Sequence, residues 1–424
     1  MKKELPINQR KYHAFLSHAH ADNEIVDRIY HLLSEVANIP IWYDADYLTG
    51  QIASDLPKAI NQCRNMIIVL SEASIKSGWV KKEYNLAMTE NARFDDFKIL
   101  PIRIDGCKVE HHKDLGFLET TKWIDLPNGE IDLPTAHHII ASIYYNDVDN
   151  FPGETKDIYI SRTWRENEAG LANFVCEMLD EMGLRLIGDF TDQAGFDEGN
   201  RVESIISSCG GLVAILPHRG KGTTSKYMIE EIQIAQKYGL PCVIIADPEV
   251  ELSKDLAELA ININFTEEYV ETQPLEDEIE KLIEKWKPPS KPHYVFFSTD
   301  FDAQKRKRNT IVNQLIERIT SMSCLMGDKI REGAVQKTIT QKISESFLMI
   351  ADITEENINT LIEAGIARGA YKNYYLIAKG EPRSPPFMFR DQQVWYYKDD
   401  VELIGYIHRL VYPYRRRILN YELK

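Results

Sequence analysis

The chain has 424 residues, of which 44% are hydrophobic and 27% charged, the composition of a folded globular protein with two or three domains. A formal net charge of −15 argues against a protein that binds nucleic acid through a basic surface. The sequence contains no apolar run near the roughly 20 residues that cross a bilayer and no apolar signal-peptide core at its start, so we expect a cytoplasmic protein without a membrane partner.

The six cysteines contain no C-x-x-C pair, and several of them lie inside apolar runs that are typical of strands. This pattern predicts buried, reduced thiols and argues against a disulfide framework. Two His-His pairs occur at 111–112 and 137–138 without cysteines or carboxylates at ligand spacing. We therefore expect no metal site.

Three stretches of the chain begin in the same way, with a short apolar strand that ends in a serine. These openings are YHAFLSH (12–18), DIYISRT (157–163) and HYVFFST (293–299). An amphipathic helix follows each of them. In the first stretch, apolar residues at positions 25, 29, 32, 33 and 36 have the spacing of one helix face.

A second strand follows, IPIWYDAD in the first stretch and LRLIGDF in the second. Beyond it, LPKAINQCRNMIIVL (56–70) matches VESIISSCGGLVAIL (202–216) at a fixed offset of 146 residues. The segment TITQKISESFLMIADIT (338–354) stands in the same place in the third stretch. All three predict a helix, a tight turn and a buried parallel strand.

Polar linkers with proline separate the stretches, at 146–156 and 285–293. The sequence thus predicts three domains, unit 1 (1–148), unit 2 (156–286) and unit 3 (292–424). Alternating strands and helices indicate an α/β fold of three consecutive flavodoxin-like, Rossmann-like domains with parallel sheets. Ligands of such sheets bind beyond the carboxyl ends of the strands, where the strand order switches.

Unit 1 carries three motifs in the order and spacing of a known family. They are YHAFLSHAHAD, then WYDADYLTGQIASDLPKAI, then SEASIKSGWVKKEYNLAM. Together they resemble the opening strand, the BB loop and the strand-to-helix segment of TIR domains. Catalytic TIR domains cleave the nicotinamide–ribose bond of NAD+, and the resemblance places their catalytic glutamate at Glu83.

The resemblance also implies which residues lie around the substrate and in the assembly loop. Trp79 would pack and orient the helix of Glu83. The implied substrate-binding residues are Ser17, His18, Asp44, Ser77 and Trp79. TIR enzymes commonly complete their pocket with the BB loop of a neighbouring subunit, which here corresponds to about 44–55, with Leu48 and Gly50 as its marker residues.

Glu83 also has a structural interpretation, because glutamate is favoured in the first turn of a helix near the positive end of its dipole. Many TIR domains act only as adaptors and lack this glutamate, so its presence favours catalysis. One carboxylate is sufficient for the reaction: nicotinamide leaves as a neutral base, and the carboxylate stabilises or attacks the cationic ribose that remains.

Unit 2 resembles a degenerate TIR domain. Ser225, Tyr227 and Glu231 stand where unit 1 has Ser77, Trp79 and Glu83, but the segment DFTDQAGFDEG lacks the BB-loop pattern. We expect a structural or ligand-sensing role. The string HRGKGTTSK (218–226) departs from the Walker A spacing and predicts a loop.

Unit 3 contains FLMIADITEENINTLIEAGIARGAYKNYYLIA (347–378), which resembles the nucleoside deoxyribosyltransferase-like superfamily. The residues that carry the resemblance are Asp352, Asn357, Asn359, Glu363 and Gly365. In that family a glutamate attacks the anomeric carbon of a sugar and an aspartate acts on the leaving base. We rank nucleotide sensing above catalysis here, with helix capping and close packing as the structural interpretation.

Two basic clusters, at 305–308 and 415–417, predict either solvated helix faces or a phosphate-binding patch.

The sequence leaves three hypotheses about function. The leading one is an NAD+ glycohydrolase, with or without cyclisation of ADP-ribose, that acts as an immune or antiviral effector. It would be gated by self-association of TIR domains and by a nucleotide or protein trigger, with NAD+ as substrate and no cofactor. The second is a non-enzymatic assembly protein, and the third is a nucleoside or nucleotide N-glycosidase that uses unit 3.

Overall fold

The computed structural model describes most of the chain, and the account below is confined to those residues. They are 7, 10–43, 52–108, 118, 123–126, 129–143, 156–163, 165, 168–182, 184–188, 202–203, 205–262, 273–286, 294–320, 322–327, 335–354 and 357–414.

Unit 1 contains a five-stranded parallel sheet in the order β2-β1-β3-β4-β5. The strands are β1 (Tyr12–Ser17), β2 (Ile41–Tyr43), β3 (Cys63–Leu70), β4 (Lys98–Arg103) and β5 (Ile124–Asp125). The helices are α1 (Asn23–Tyr30), α2 (Ile52–Ile60), α3 (Gly78–Arg93) and α4 (Leu133–Ile143). The predicted first helix is present, but its second half (His31–Val36) is π-helical.

Unit 2 contains a second parallel sheet, in the order β10-β9-β8-β6-β7. Its strands are β6 (Lys156–Ser161), β7 (Leu184–Ile187), β8 (Gly211–Leu216), β9 (Cys242–Ala246) and β10 (Ala260–Asn262). Its helices are α5 (Ala169–Glu181), α6 (Lys226–Lys237), α7 (Lys254–Ala257) and α8 (Gln273–Lys285). Read from β7, the strand order repeats that of unit 1.

Unit 3 repeats the arrangement once more, in the order β12-β11-β13-β14-β15. Its strands are β11 (Tyr294–Ser298), β12 (Ser323–Met326), β13 (Leu348–Asp352), β14 (Asn373–Lys379) and β15 (Val394–Tyr397). Its helices are α9 (Arg306–Thr320), α10 (Val335–Glu345), α11 (Ile358–Gly369) and α12 (Asp400–Val411). The prediction of three α/β units with parallel sheets is confirmed, whereas their exact boundaries stay predictions.

The central strands are buried because their residues are apolar on both faces, as helices on both sides of a parallel sheet require. Apart from the half-buried Arg64, every residue of β3 is buried, as is every residue of β8 and β13. All six cysteines are free thiols and five of them are buried, in agreement with the sequence. Among the described helices, none is both long and apolar enough to span a membrane.

Unit 3 packs against unit 1 through its first and last helices. Helices α9 and α12 contact α4, and α12 also contacts the π-helical turn. Gly405 of α12 permits the close approach, because a β-carbon at this position would lie 2.6 Å from Cγ1 of Val36. The buried His408 ring hydrogen-bonds the carbonyl oxygen of Ala37 at 2.9 Å.

Unit 2 contacts unit 3 through Arg185, which also forms a buried ion pair within unit 2. Arg185 on β7 donates to both carboxylate oxygens of Asp157 on β6, each at 2.5 Å. A further N–H of Arg185 donates to the carbonyl oxygen of Thr320, at the end of α9, at 3.1 Å. One continuous apolar cluster includes Ile29, Leu212 and Val312, which come from the three units in turn.

Candidate functional site

A serine–glutamate pair lies at the carboxyl edge of the sheet in unit 1. Ser17 is the last residue of β1, and its hydroxyl donates to Oε2 of Glu83 on α3 at 2.6 Å. Only 2% of the surface of Glu83 is exposed. Because β1 and β3 lie next to each other where the strand order switches, the pair occupies the place where such folds bind ligands.

Helix α3 is held in place by the residues that precede Glu83. Ser77 caps the helix by accepting a hydrogen bond from the backbone N–H of Val80 at 3.3 Å. Trp79 is half-buried against the apolar cluster that includes Val80 and Tyr84. The structure thus gives Ser77 and Trp79 positions that orient the helix of Glu83.

His18 follows Ser17 and begins the loop after β1. Its ring Nε2 lies 3.1 Å from the side-chain oxygen of Asn23, and its ring centroid lies 5.4 Å from that of Tyr43. Tyr43, the last residue of β2, donates its hydroxyl to Asp27 at 2.6 Å. His18 therefore lies at the same sheet edge as Ser17, beside an aromatic ring.

Asp22 is a carboxylate at this edge that the sequence analysis did not single out. It accepts a hydrogen bond from the hydroxyl of Ser71, the residue after β3, at 2.7 Å. Burial raises the pKa of Asp22; the hydrogen bond from Ser71 opposes that rise and the negative charge of Asp105 adds to it. The AHAD string contained this residue, but no spacing in the sequence linked it to Ser71.

Three residues predicted for this site, Asp44, Leu48 and Gly50, lie outside the described residues. Their roles in binding and assembly stay predictions.

Unit 2 repeats the serine–glutamate pair with one addition. Ser161, the last residue of β6, donates its hydroxyl to Oε2 of Glu231 on α6. Tyr159, two residues earlier on the same strand, donates its hydroxyl to Oε1 of Glu231 at 2.6 Å. Both carboxylate oxygens of Glu231 therefore accept hydrogen bonds from β6.

Unit 3 contains the pair as well. Ser298, the last residue of β11, donates its hydroxyl to Oε2 of Glu363 on α11. Burial raises the pKa of Glu363, and the hydrogen bond from Ser298 partly offsets this rise. The sequence motifs align Glu83 with Glu231, and they align the three serines that end the first strands. Nothing in the motifs predicts the hydrogen bond between serine and glutamate.

The other residues predicted for unit 3 have structural partners. Asp352 accepts from the guanidinium of Arg308 at 3.1 Å and from the hydroxyl of Tyr397 at 3.0 Å. Burial, with the charge of Asp352, raises the pKa of Tyr397 above its usual range. Asn357 caps α11, accepting from the backbone N–H of Asn359 at 3.0 Å.

In the folded chain, side chains of the basic cluster at 305–308 have different partners. Arg308 is buried in its ion pair with Asp352, and Lys305 pairs with Asp300 at 3.1 Å. The charge of Lys307 lowers the pKa of Asp132 in unit 1, behind the larger effect of the hydrogen bond from Thr135. Lys305 and Arg308 are thus both engaged by carboxylates, and the second cluster, 415–417, lies outside the described residues.

In the described part of the chain, one group of side chains has the composition of a metal site. His218, Asp247 and Glu249 in unit 2 bring their ligand atoms within 4.8 Å of one another. The backbone N–H of Gly222 donates to Nε2 of His218, which leaves the ring proton on Nδ1, 2.9 Å from Glu249. His218 thus bridges the backbone of Gly222 and the carboxylate of Glu249.

One of the comparisons with known proteins concerns unit 1. The family model described as TIR domain matches residues 14–139. A stimulator of interferon genes protein from Magallana gigas is 31% identical over 101 residues, 23% of this chain and 24% of that protein. A probable 2′ cyclic ADP-D-ribose synthase, TcpO, from Methanobrevibacter olleyae is 28% identical over 105 residues, 24% of this chain and 30% of that protein.

The matched regions span less than a third of each of these relatives. A solved TIR domain, from the Toll-related receptor TRR-2 of Hydra magnipapillata, is 19% identical, with a TM-score of 0.27 over 31% of this chain and 98% of that one. The resemblances of units 2 and 3 stay predictions. Residues 14–139, which make up most of unit 1, thus resemble TIR domains.

Proposed function

We propose that unit 1 cleaves NAD+ at the bond between nicotinamide and ribose, with Glu83 as the catalytic carboxylate. The observation that carries the proposal is the position of Glu83, held by Ser17 at the switch point of a TIR sheet. The name of the Methanobrevibacter olleyae relative, a probable cyclic ADP-ribose synthase, supports chemistry of this class.

The reaction needs little from the protein beyond one placed negative charge. The C–N bond breaks, and its electron pair stays on the nicotinamide nitrogen, which is neutral once it has left. The carboxylate of Glu83 stabilises the positive charge that develops on ribose. Water then attacks the ribose carbon and loses a proton to solvent, so that NAD+ and water give nicotinamide, ADP-ribose and H+. Attack by another group of the same molecule gives a cyclic product.

The wider role proposed for the protein is that of a cytoplasmic immune or antiviral effector. In this role a nucleotide or protein trigger acts on the chain, and self-association of TIR domains through the loop around Leu48 and Gly50 switches on NAD+ cleavage.

A second candidate, an assembly protein without activity, is favoured by the burial of Glu83. A glutamate that is only 2% exposed and bonded to Ser17 is also what a purely structural role would produce. In that case TIR-type assembly would survive removal of the carboxylate and depend on the loop around Leu48 and Gly50.

The test is nicotinamide release from NAD+ by the full chain at several protein concentrations, beside Glu83→Gln and Glu231→Gln. Glu83→Gln removes the charge but keeps the shape, and we expect a loss of at least about a hundredfold. Glu231→Gln makes the same change in unit 2 and should keep the wild-type rate. A Glu83→Gln protein that retains full activity would refute the proposal, and inactive wild type that still assembles would favour the second candidate.

A further inference from the structure

Four large apolar side chains of unit 3 are exposed beside one another and form what we name the unit 3 patch. They are Ile358 (72% exposed) and Ile362 (57%) on α11, and Phe387 (83%) and Met388 (50%) in the short helical turn that follows β14. The two isoleucines lie on successive turns of one helix face. Met388 packs on the same face, because its methyl carbon would lie 3.1 Å from a β-carbon at Gly365.

The corresponding helix of unit 2 is polar at the two isoleucine positions. Counted from the buried glutamate of each unit, Ile358 and Ile362 correspond to Lys226 and Glu230 on α6. Those two side chains form an exposed ion pair across one helical turn, with 3.7 Å between nitrogen and oxygen. The fold therefore does not require isoleucine here, and an exposed apolar patch of this kind is typical of a contact surface.

The turn that carries Phe387 is fixed to the body of unit 3. Pro386 precedes it and restricts the backbone, and Phe389 is fully buried in the apolar cluster behind it. Arg368 on α11 donates to the carbonyl oxygen of Met388. The exposed ring of Phe387 is thus held in place before any partner binds, which reduces the entropy lost on association.

The size of the patch suits an interface between two copies of this chain. Since a large apolar side chain offers roughly 200 Å² of surface, the exposed fractions leave about 500 Å² of apolar area on one copy. A stable interface buries about 800 Å² on each partner, and about 65% of that area is apolar in homodimers. The patch therefore supplies the apolar part of such an interface by itself.

The charges beside the patch are balanced, as contact between identical surfaces requires. The guanidinium carbon of Arg390 lies 5.5 Å from the centroid of the Phe387 ring. The next residue, Asp391, is ion-paired with Arg368 at 2.7 Å. Both signs are present, so a twofold contact can place the cation of one copy opposite the carboxylate of the other. The net charge of −15 opposes association through surfaces that lack this balance.

We propose that the unit 3 patch is the contact surface of a homodimer, in which a second copy of this chain packs the same four residues against it about a twofold axis. The dimer joins two copies of unit 1 in one particle. It does not depend on NAD+ cleavage or on the loop around Leu48 and Gly50.

The test is sedimentation equilibrium of the full chain over a range of concentrations, where we expect a dimer at micromolar protein. The variant Ile358→Lys with Ile362→Glu gives α11 the exposed ion pair that α6 already carries, so the helix should keep its stability. We expect its dissociation constant to rise by at least about a hundredfold. Phe387→Ala should raise the constant by about tenfold or more.

The matched control is Tyr227→Ala, which removes a 74% exposed aromatic ring from unit 2 and should leave the dimer unchanged. Thermal unfolding of the double variant at the wild-type temperature would show that its fold is intact. A wild-type chain that stays monomeric would overturn the proposal and leave the patch to a different protein. A dimer that survives in the double variant but is lost in Leu48→Ala would overturn it too, in favour of contact through unit 1. Failure of the proposed function would show separately, as a lack of nicotinamide release by the wild-type chain.

Discussion

Units 1 and 2 share a strand order and a serine–glutamate pair but differ at one position beside that pair. Phe15 of unit 1 corresponds to Tyr159 of unit 2, because each lies two residues before the strand-ending serine. Phe15 stacks on Trp42 with ring centroids 4.6 Å apart, whereas Tyr159 directs its hydroxyl to Glu231. The carboxylates of Glu83 and Glu231 thus have the same position in the fold, but only Glu231 accepts a hydrogen bond from a tyrosine at this position of the strand.

The two units also differ in how they join unit 3. Unit 1 meets unit 3 through an apolar contact, in which Gly405 on α12 of unit 3 lies against Val36 of unit 1. Unit 2 uses Arg185, which is ion-paired with Asp157 inside unit 2 and donates to the carbonyl oxygen of Thr320 in unit 3. Apolar packing loses little stability when a side-chain volume changes slightly. A buried charge that loses its ion-pair partner lowers the stability much more. We therefore expect the two junctions to respond differently to substitution.

The largest effect is expected for Arg185→Met, which leaves Asp157 buried without its ion pair. We expect the free energy of unfolding to fall by about 3–5 kcal/mol, measured by urea denaturation. Lys237→Met breaks the exposed pair with Glu203 in the same unit and should have a far smaller effect. Equal effects of the two substitutions would show that the buried junction does not hold unit 2.

A smaller loss is expected for Gly405→Ala, which tests the junction of unit 1. The added methyl group would lie 2.6 Å from Cγ1 of Val36, so the helices must separate, at a cost of about 1–3 kcal/mol. Combining it with Val36→Ala makes room for the methyl group and should recover part of the loss in thermal unfolding. A double variant no more stable than Gly405→Ala would contradict this explanation.

Tyr159→Phe makes unit 2 resemble unit 1 at the position that distinguishes them. It removes one hydrogen bond to Glu231, and we expect a loss of about 1–1.5 kcal/mol in the free energy of unfolding. Phe15→Tyr is the reverse change and should reduce nicotinamide release by placing a hydroxyl near Glu83. If both variants kept wild-type activity and stability, the difference between Phe15 and Tyr159 would have no effect on the two carboxylates.

The smallest effect concerns the pH dependence of stability through Glu363. Its pKa in the folded protein is raised above the ordinary value of 4.5, so the folded state binds the proton more tightly than the unfolded state does. The resulting stabilisation is present below pH 4.5 and is lost as the pH rises through the raised pKa. Glu363→Gln should flatten this part of the stability profile, and a profile identical to that of the wild type would contradict the assignment.

The repeated pattern of strands, helices and turns predicted the fold, because each buried strand is an apolar run and each unit opens in the same way. The π-helical turn at 31–36 was not predictable, since its apolar residues also fit ordinary helical spacing. Glu83 could be singled out from its motif. Its bond to Ser17, 66 residues earlier, depends on two elements meeting across the sheet and has no local signal.

The positions of some individual residues in the fold also differ from what their sequence context indicates. Arg308 belonged to a basic cluster in the sequence, yet its side chain is buried against Asp352. Gly327 carried no motif, yet the fold brings it next to Phe301 and Glu363, and a β-carbon there would lie 3.5 Å from the ring of Phe301. Such features depend on distances between segments that are remote in the chain, and a single sequence does not contain them.

The junction at Gly405 has a consequence for the order of events during synthesis. The ribosome completes unit 1 more than 250 residues before it reaches α12, the helix that covers the π-helical turn. Until then the apolar face of that turn is open to solvent and to other nascent chains. Unit 1 therefore reaches its final surface only after unit 3 has emerged, and a chain arrested within unit 3 would carry unit 1 with this face uncovered.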